Sequence, residues 1–243
     1  MRFVLLICAL FSSPSIFADA YFELYKKAGW PQQQTHFSSA LQQAQLNYQN
    51  TLPSAIYQAL VDTSNKRFAA EAMQQRAQQA LRQHLDNPTS ALAFFESTLG
   101  QKISAAETTA THPEQLNRYA KGLPVINADA TRRLLIRHLA NALPASQAGA
   151  EVTLALGSVA ADSLSQMLPG LMGADQANAL LDSQRQRLLT QIDANIDNTL
   201  LHVYQPLSDA ELEEFVSFAQ STEGQAYYQA AFKTLQASLS TAR

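Results

Sequence analysis

Four basic side chains crowd one short stretch: Arg132, Arg133, Arg137 and His138. On a helix Arg133 and Arg137 lie one turn apart. With His138 they form a candidate contact for an anion or a partner, because two forked guanidiniums can grip one phosphate or carboxylate. The plainer reading is a solvated face opposite Leu134, Leu135 and Leu139, with the arginines paired to carboxylates of a neighbouring helix. Asp193 and Asp197 repeat the same spacing, with Asp182 further back. Such a pair can share a proton or a hard cation, but a calcium site takes six or more oxygens and generally a loop, which favours solvent-facing charges. A third group is aromatic. Phe94, Phe95, Phe218 and Tyr228, with Phe215 and Tyr227 beside them, read as core, or else as the lining of an apolar groove.

Nothing in the chain spells out a reaction. The five histidines, at 36, 84, 112, 138 and 202, have no metal-ligand spacing. H-E-x-x-H, G-x-S-x-G and the Gly-rich phosphate loop are all missing. The single cysteine, Cys8, sits in the N-terminal apolar run and is expected to leave with it, which removes thiol chemistry from the mature chain. No catalytic, cofactor-binding or metal-ligating residue is assigned, and no cofactor is expected. A serine hydrolase whose triad assembles from remote positions stays open as the alternative.

The elements that position these groups are helices. Apolar residues recur at helical spacing throughout, and no stretch alternates with a period of two. Tyr21 to Ala28 predicts a short helix stopped by Gly29; Pro31 and Pro53 open two more. Ala69, Met73, Ala77, Ala80, Leu81 and Leu85 predict one helix over 66–85. Asn127 or Asp129 caps the arginine-bearing helix, which must stop near Pro144. Gln147 to Leu168 predicts a central helix ending at Pro169-Gly170. Ala174 to Tyr204 predicts the longest, with Leu181, Leu188, Ile192, Ile196, Leu200 and Val203 as its seam.

The most explicit local instructions lie in Leu207 to Phe232. Ser208 and Glu211 have capping-box spacing, and Leu207 and Leu212 are placed for a hydrophobic staple. Leu212, Phe215, Val216 and Ala219 then form an apolar face. Ser221 or Thr222 opens a second helix, whose Gly224 reads as room for close backbone approach at the corner. A shorter copy occurs 124 residues earlier, where Ser97-Thr98-x-Gly100-Gln101 matches Ser221-Thr222-x-Gly224-Gln225. The fold expected is an all-α multi-helix bundle of two pseudo-repeated halves, 21–122 and 123–243, packed as one unit.

Leu207, Ser208, Glu211, Leu212, Phe215, Phe218, Ser221 and Gly224 resemble the pattern of the bacterial domain-of-unknown-function family 2059. The match is strongest over 207–235 and has a weaker copy at 88–106. The family's usual Phe-Tyr and Ser-Pro pairs are here Phe218-Ala219 and Ser221-Thr222. The resemblance implies an exported, all-helical protein of Gram-negative bacteria, and it carries over no functional residue.

Composition agrees with export and argues against nucleic acid. The net charge is −3, whereas nonspecific nucleic-acid binding needs a basic surface. Charged residues make up only 15%, so Gln, Asn, Ser and Thr must cover much of the polar surface. Residues 1–20 read as a signal peptide: Arg2, the apolar run Phe3 to Phe11, and Ala18-Asp19-Ala20 as a small-x-small cleavage site, with cleavage after Ala18 as the alternative. No later segment has the roughly 20 apolar residues of a membrane span. The expectation is a periplasmic, non-catalytic binding or interaction protein, chaperone-like in using a helical groove or apolar patch. Its partner would be an envelope protein or a small apolar ligand.

Overall fold

A computed structural model describes residues 15–159 and 174–240. The predicted leader therefore lies largely outside the described residues, as do 160–168 of the predicted central helix and its Pro169-Gly170 stop. The described residues form helices and no strand: α1 (Ser15–Lys27), α2 (Trp30–Leu46), α3 (Ser54–Arg67), α4 (Ala70–His84), α5 (Thr89–Glu96), α6 (Thr98–Ala110), α7 (Pro113–Arg118), α8 (Ala130–Ala142), α9 (Ala145–Gly157), α10 (Ala174–Asp193), α11 (Ile196–Val203), α12 (Asp209–Gln220) and α13 (Thr222–Leu239). The fold is all-α, a multi-helix bundle.

Three apolar cores hold it together. The largest joins α6, α8, α11 and α12 around Ile103, Ile136, Leu139, Leu200, Leu212 and Phe215. A second gathers Leu24, Tyr25, Ala77, Leu81, Phe95, Tyr227 and Ala230 from α1, α4, α5 and α13. A third lies where Phe37, Leu60, Phe68, Ala155 and Leu239 meet. Helix α13 packs along α4 and also touches α5 and α9. Arginines fix its end: Arg76 donates to the carbonyls of Ala237 and Ser238, and Arg67 to that of Leu239. Carbonyls left without partners at a helix C-terminus carry partial negative charge, which suits guanidinium donors.

The two corners have the same geometry. Ser97 (φ −65°, ψ 161°) caps α6, and Ser221 (φ −66°, ψ 160°) caps α13. Each hydroxyl accepts from the N–H of the glycine three residues on at 3.0 Å, and donates to the carbonyl of Phe94 or Phe218 at 2.7 Å. The two glycines answer to one constraint. A Cβ on Gly100 would overlap the Phe94 carbonyl, and one on Gly224 the Phe218 carbonyl. The likeness is local. The helix before the corner has 8 residues in α5 and 12 in α12, and the one after it 13 in α6 and 18 in α13. At the second corner the capping box of Ser208 and Glu211 is fully made, and Leu207 and Leu212 are both buried.

Four sequence expectations change. The helix over 66–85 is broken at Phe68-Ala69, because Phe68 turns inward to pack edge-on against Phe37 at 5.1 Å, leaving Ala69 exposed. The helix over 174–204 is broken at Ala194-Asn195, and the bend swings Ile196, Leu200 and Leu201 into the largest core. Leu181, expected in that seam, is 41% exposed. On α8 the buried residues are Ile136 and Leu139, while Leu134 is 58% exposed. Of the two caps expected for α8, Asp129 is the one used, accepting from the N–H of Arg132 at 2.9 Å.

Candidate functional site

A groove of about 840 Å³ opens between α6, α7 and α11. Its first wall is a stripe on α6: Lys102, Ala105, Ala106, Thr109 and Ala110, spaced i, i+3, i+4, i+7, i+8. Small side chains along that stripe leave space where larger ones would close the gap. The opposite wall is Thr199, His202 and Val203 on α11, continued by Gln205 and Pro206. Leu116, Arg118, Tyr119 and Leu123 come from α7 and the segment after it. Leu116 is 49% exposed, an apolar side chain left at the groove's edge. Thr111-His112-Pro113 positions α7, with the His112 ring accepting from the N–H of Glu114 at 3.3 Å and Pro113 opening the helix.

Three contacts hold the walls apart at a set distance. The Tyr204 hydroxyl donates to the Glu107 carboxylate at 2.7 Å, tying α6 to the end of α11. Lys102 is paired with Glu211 at 2.8 Å, tying α6 to α12. His202 donates its Nε2 hydrogen to the Pro124 carbonyl at 2.7 Å, and its ring lies 5.7 Å from that of Tyr119.

Glu107 lies behind the groove. Burial pushes its carboxyl up from 4.5 to about 7, only partly offset by the Tyr204 hydrogen bond. Burial also raises the hydroxyls of Tyr204, Tyr227 and Tyr228, and the nearby carboxylate adds to each shift. The Tyr228 hydroxyl is buried with no hydrogen-bond partner among the described residues. Glu211 moves the other way, held down to about 2 by the hydrogen bond from Lys102 and then by those from Ser208.

The residues singled out from sequence sit elsewhere. Arg132 turns inward, donating to Asp209 at 2.8 Å, to the Tyr204 carbonyl at 2.8 Å and to the Leu207 carbonyl at 3.0 Å. Arg137 pairs with Asp197, so the two expected clusters partly neutralise each other. Arg133 is exposed, and His138 is exposed within 3.4 Å of the Gln220 amide. Asp182 pairs with Arg185 at 2.7 Å, and Asp193 is exposed. These basic groups do not converge on a common point. Of the aromatic set, Phe94 and Phe218 stack with centroids 3.7 Å apart, which leaves no gap between the corners for a ligand. Phe95 is buried, and Tyr228 packs edge-on against Phe218. These rings join the first and second cores instead of lining the groove.

Sequence reasoning missed the groove and Glu107. The alanines of α6 are a faint signal, since small residues on one stripe permit either close packing or an opening. Glu107 gives no local sign at all, because its partner Tyr204 is 97 residues away.

Fold and site together define, among the described residues, an all-helical bundle with a mainly apolar groove. No described helix is long and apolar enough to cross a membrane. Compared with known proteins, the chain matches no family model, no curated protein and no solved structure. The likeness to family 2059 thus stands on the corner residues alone.

Proposed function

We propose that this chain is an exported, periplasmic binding protein without catalytic activity, chaperone-like in sheltering a small apolar ligand. The groove carries the reading. The apolar part of its walls comes from Ala105, Ala106, Ala110, Leu116, Leu123, Val203 and Pro206, and its volume of about 840 Å³ falls within the range of small-molecule sites. That size favours a small ligand over a segment of an envelope protein. Export is supported by the leader-like residues 1–20 and by the resemblance of the corner to family 2059.

Two measurements test the reading. N-terminal sequencing of the protein recovered from a Gram-negative periplasm should begin at Tyr21 or Asp19; a product found only in the cytoplasm with Met1 in place would overturn export. An environment-sensitive apolar dye such as N-phenyl-1-naphthylamine should brighten saturably with the wild-type chain. Ala105→Trp, which fills the groove from an exposed position on α6, should remove that signal. Equal dye binding by both proteins would sink the assignment.

A further inference from the structure

We propose that the ligand of this groove is a single-chain fatty carboxylate, its tail along the α6–α11 trough and its head paired with Arg118. The inference rests on the binding reading above and adds the ligand's chemistry.

Shape argues for a linear tail. The α6 stripe runs from Lys102 to Ala110, about 12 Å at 1.5 Å per residue, with Ala105, Ala106 and Ala110 as its apolar members. Facing it, Thr199, His202 and Val203 form a second stripe on α11. Two helix stripes side by side make a trough, which suits a flexible alkyl chain better than a compact ring system.

Charge argues for an anionic head. The chain as a whole carries −3, yet no carboxylate lines the groove. The charged side chains in its lining are Lys102 and Arg118. Lys102 is already neutralised by Glu211 at 2.8 Å, whereas Arg118 is exposed and forms no ion pair among the described residues. His202 is committed to the Pro124 carbonyl. One unpaired guanidinium beside an apolar trough matches one carboxylate at the end of an apolar chain, and its planar fork can donate to both carboxylate oxygens. Salt screens an exposed pair, so the head contact should weaken as ionic strength rises.

The experiment uses the mature chain and 11-(dansylamino)undecanoate as a fluorescent probe, competed with palmitate, hexadecanol and lysophosphatidylcholine. Palmitate should displace the probe at least about tenfold more effectively than hexadecanol. Arg118→Gln should cost about tenfold in palmitate affinity and leave hexadecanol unchanged. Equal competition by acid and alcohol, or no effect of Arg118→Gln, would overturn the head assignment. Displacement by lysophosphatidylcholine but not by palmitate would overturn the fatty-carboxylate assignment. Ala105→Trp and Thr109→Trp, both at exposed lining positions, separate this from the underlying reading. If either folded variant loses the probe while the acid and alcohol compete equally, the groove stands and only the head chemistry fails. If both folded variants bind the probe as the wild type does, the groove itself is wrong and both ideas fall.

Discussion

Replacing Glu107 with Gln should make the protein more stable at pH 8 and leave it nearly unchanged at pH 4. The carboxyl is pushed from 4.5 to about 7 because ionising it between α6, Tyr204 and Tyr228 means leaving water. A raised carboxyl binds a proton more tightly in the folded chain than in the unfolded one. Stability is therefore full below about pH 4.5, falls as pH rises through the interval, and levels off above about 7. At about 1.4 kcal/mol for each pH unit of that interval, the folded state loses up to about 3.5 kcal/mol between pH 4 and pH 8. Glutamine keeps the shape and can still accept the Tyr204 hydrogen bond at its carbonyl oxygen, but it has no charge to desolvate. Urea unfolding at half-unit steps of pH gives both curves, and the other titrating groups cancel in their difference. The wild-type and variant curves should converge below about pH 4.5, diverge steadily up to about pH 7 and run parallel above it. Parallel curves across the range would refute the reasoning, since the carboxyl would then titrate as it does in water.

Two other perturbations have definite signs. In an open helix Gly→Ala stabilises by about 1 kcal/mol, but Gly224→Ala should destabilise by at least about 2 kcal/mol, because the new methyl collides with the Phe218 carbonyl; a thermal melt no lower than wild type would contradict the corner geometry. Arg132→Met should cost about 2–3 kcal/mol, since its side chain is only 17% exposed and holds Asp209 and two carbonyls together. Its neighbour Arg133→Met should stay within about 0.5 kcal/mol. Similar losses for both in urea titrations would mean that Arg132 is as solvated as Arg133.

The corners were legible because everything that makes them is close in sequence. Ser208 with Glu211, Ser221 with Gly224 and Ser97 with Gly100 are three residues apart, and the bonds they form close within one turn. Helix breaks without a proline or glycine were not legible. Phe68-Ala69 and Ala194-Asn195 carry ordinary helix-compatible residues, and the chain bends there because Phe68 and Ile196 gain burial against partners far along it. The arginine cluster shows the same limit. Spacing placed Arg132, Arg133 and Arg137 on one helix, but which of them faces Asp209, solvent or Asp197 depends on helices more than fifty residues away.

Periodicity, capping chemistry and turn residues, all local, determined by themselves that this chain is helical and where its two sharp elbows fall. The net charge of −3 was equally available without coordinates, because it is a sum over residues. Only the tertiary structure decided which rings meet, that Phe94 and Phe218 spend their aromatic faces on each other, and that an apolar trough opens between α6 and α11. A trough is a gap between two helices, and its width is set by long-range ties such as Glu107 to Tyr204, which no pattern within either helix encodes.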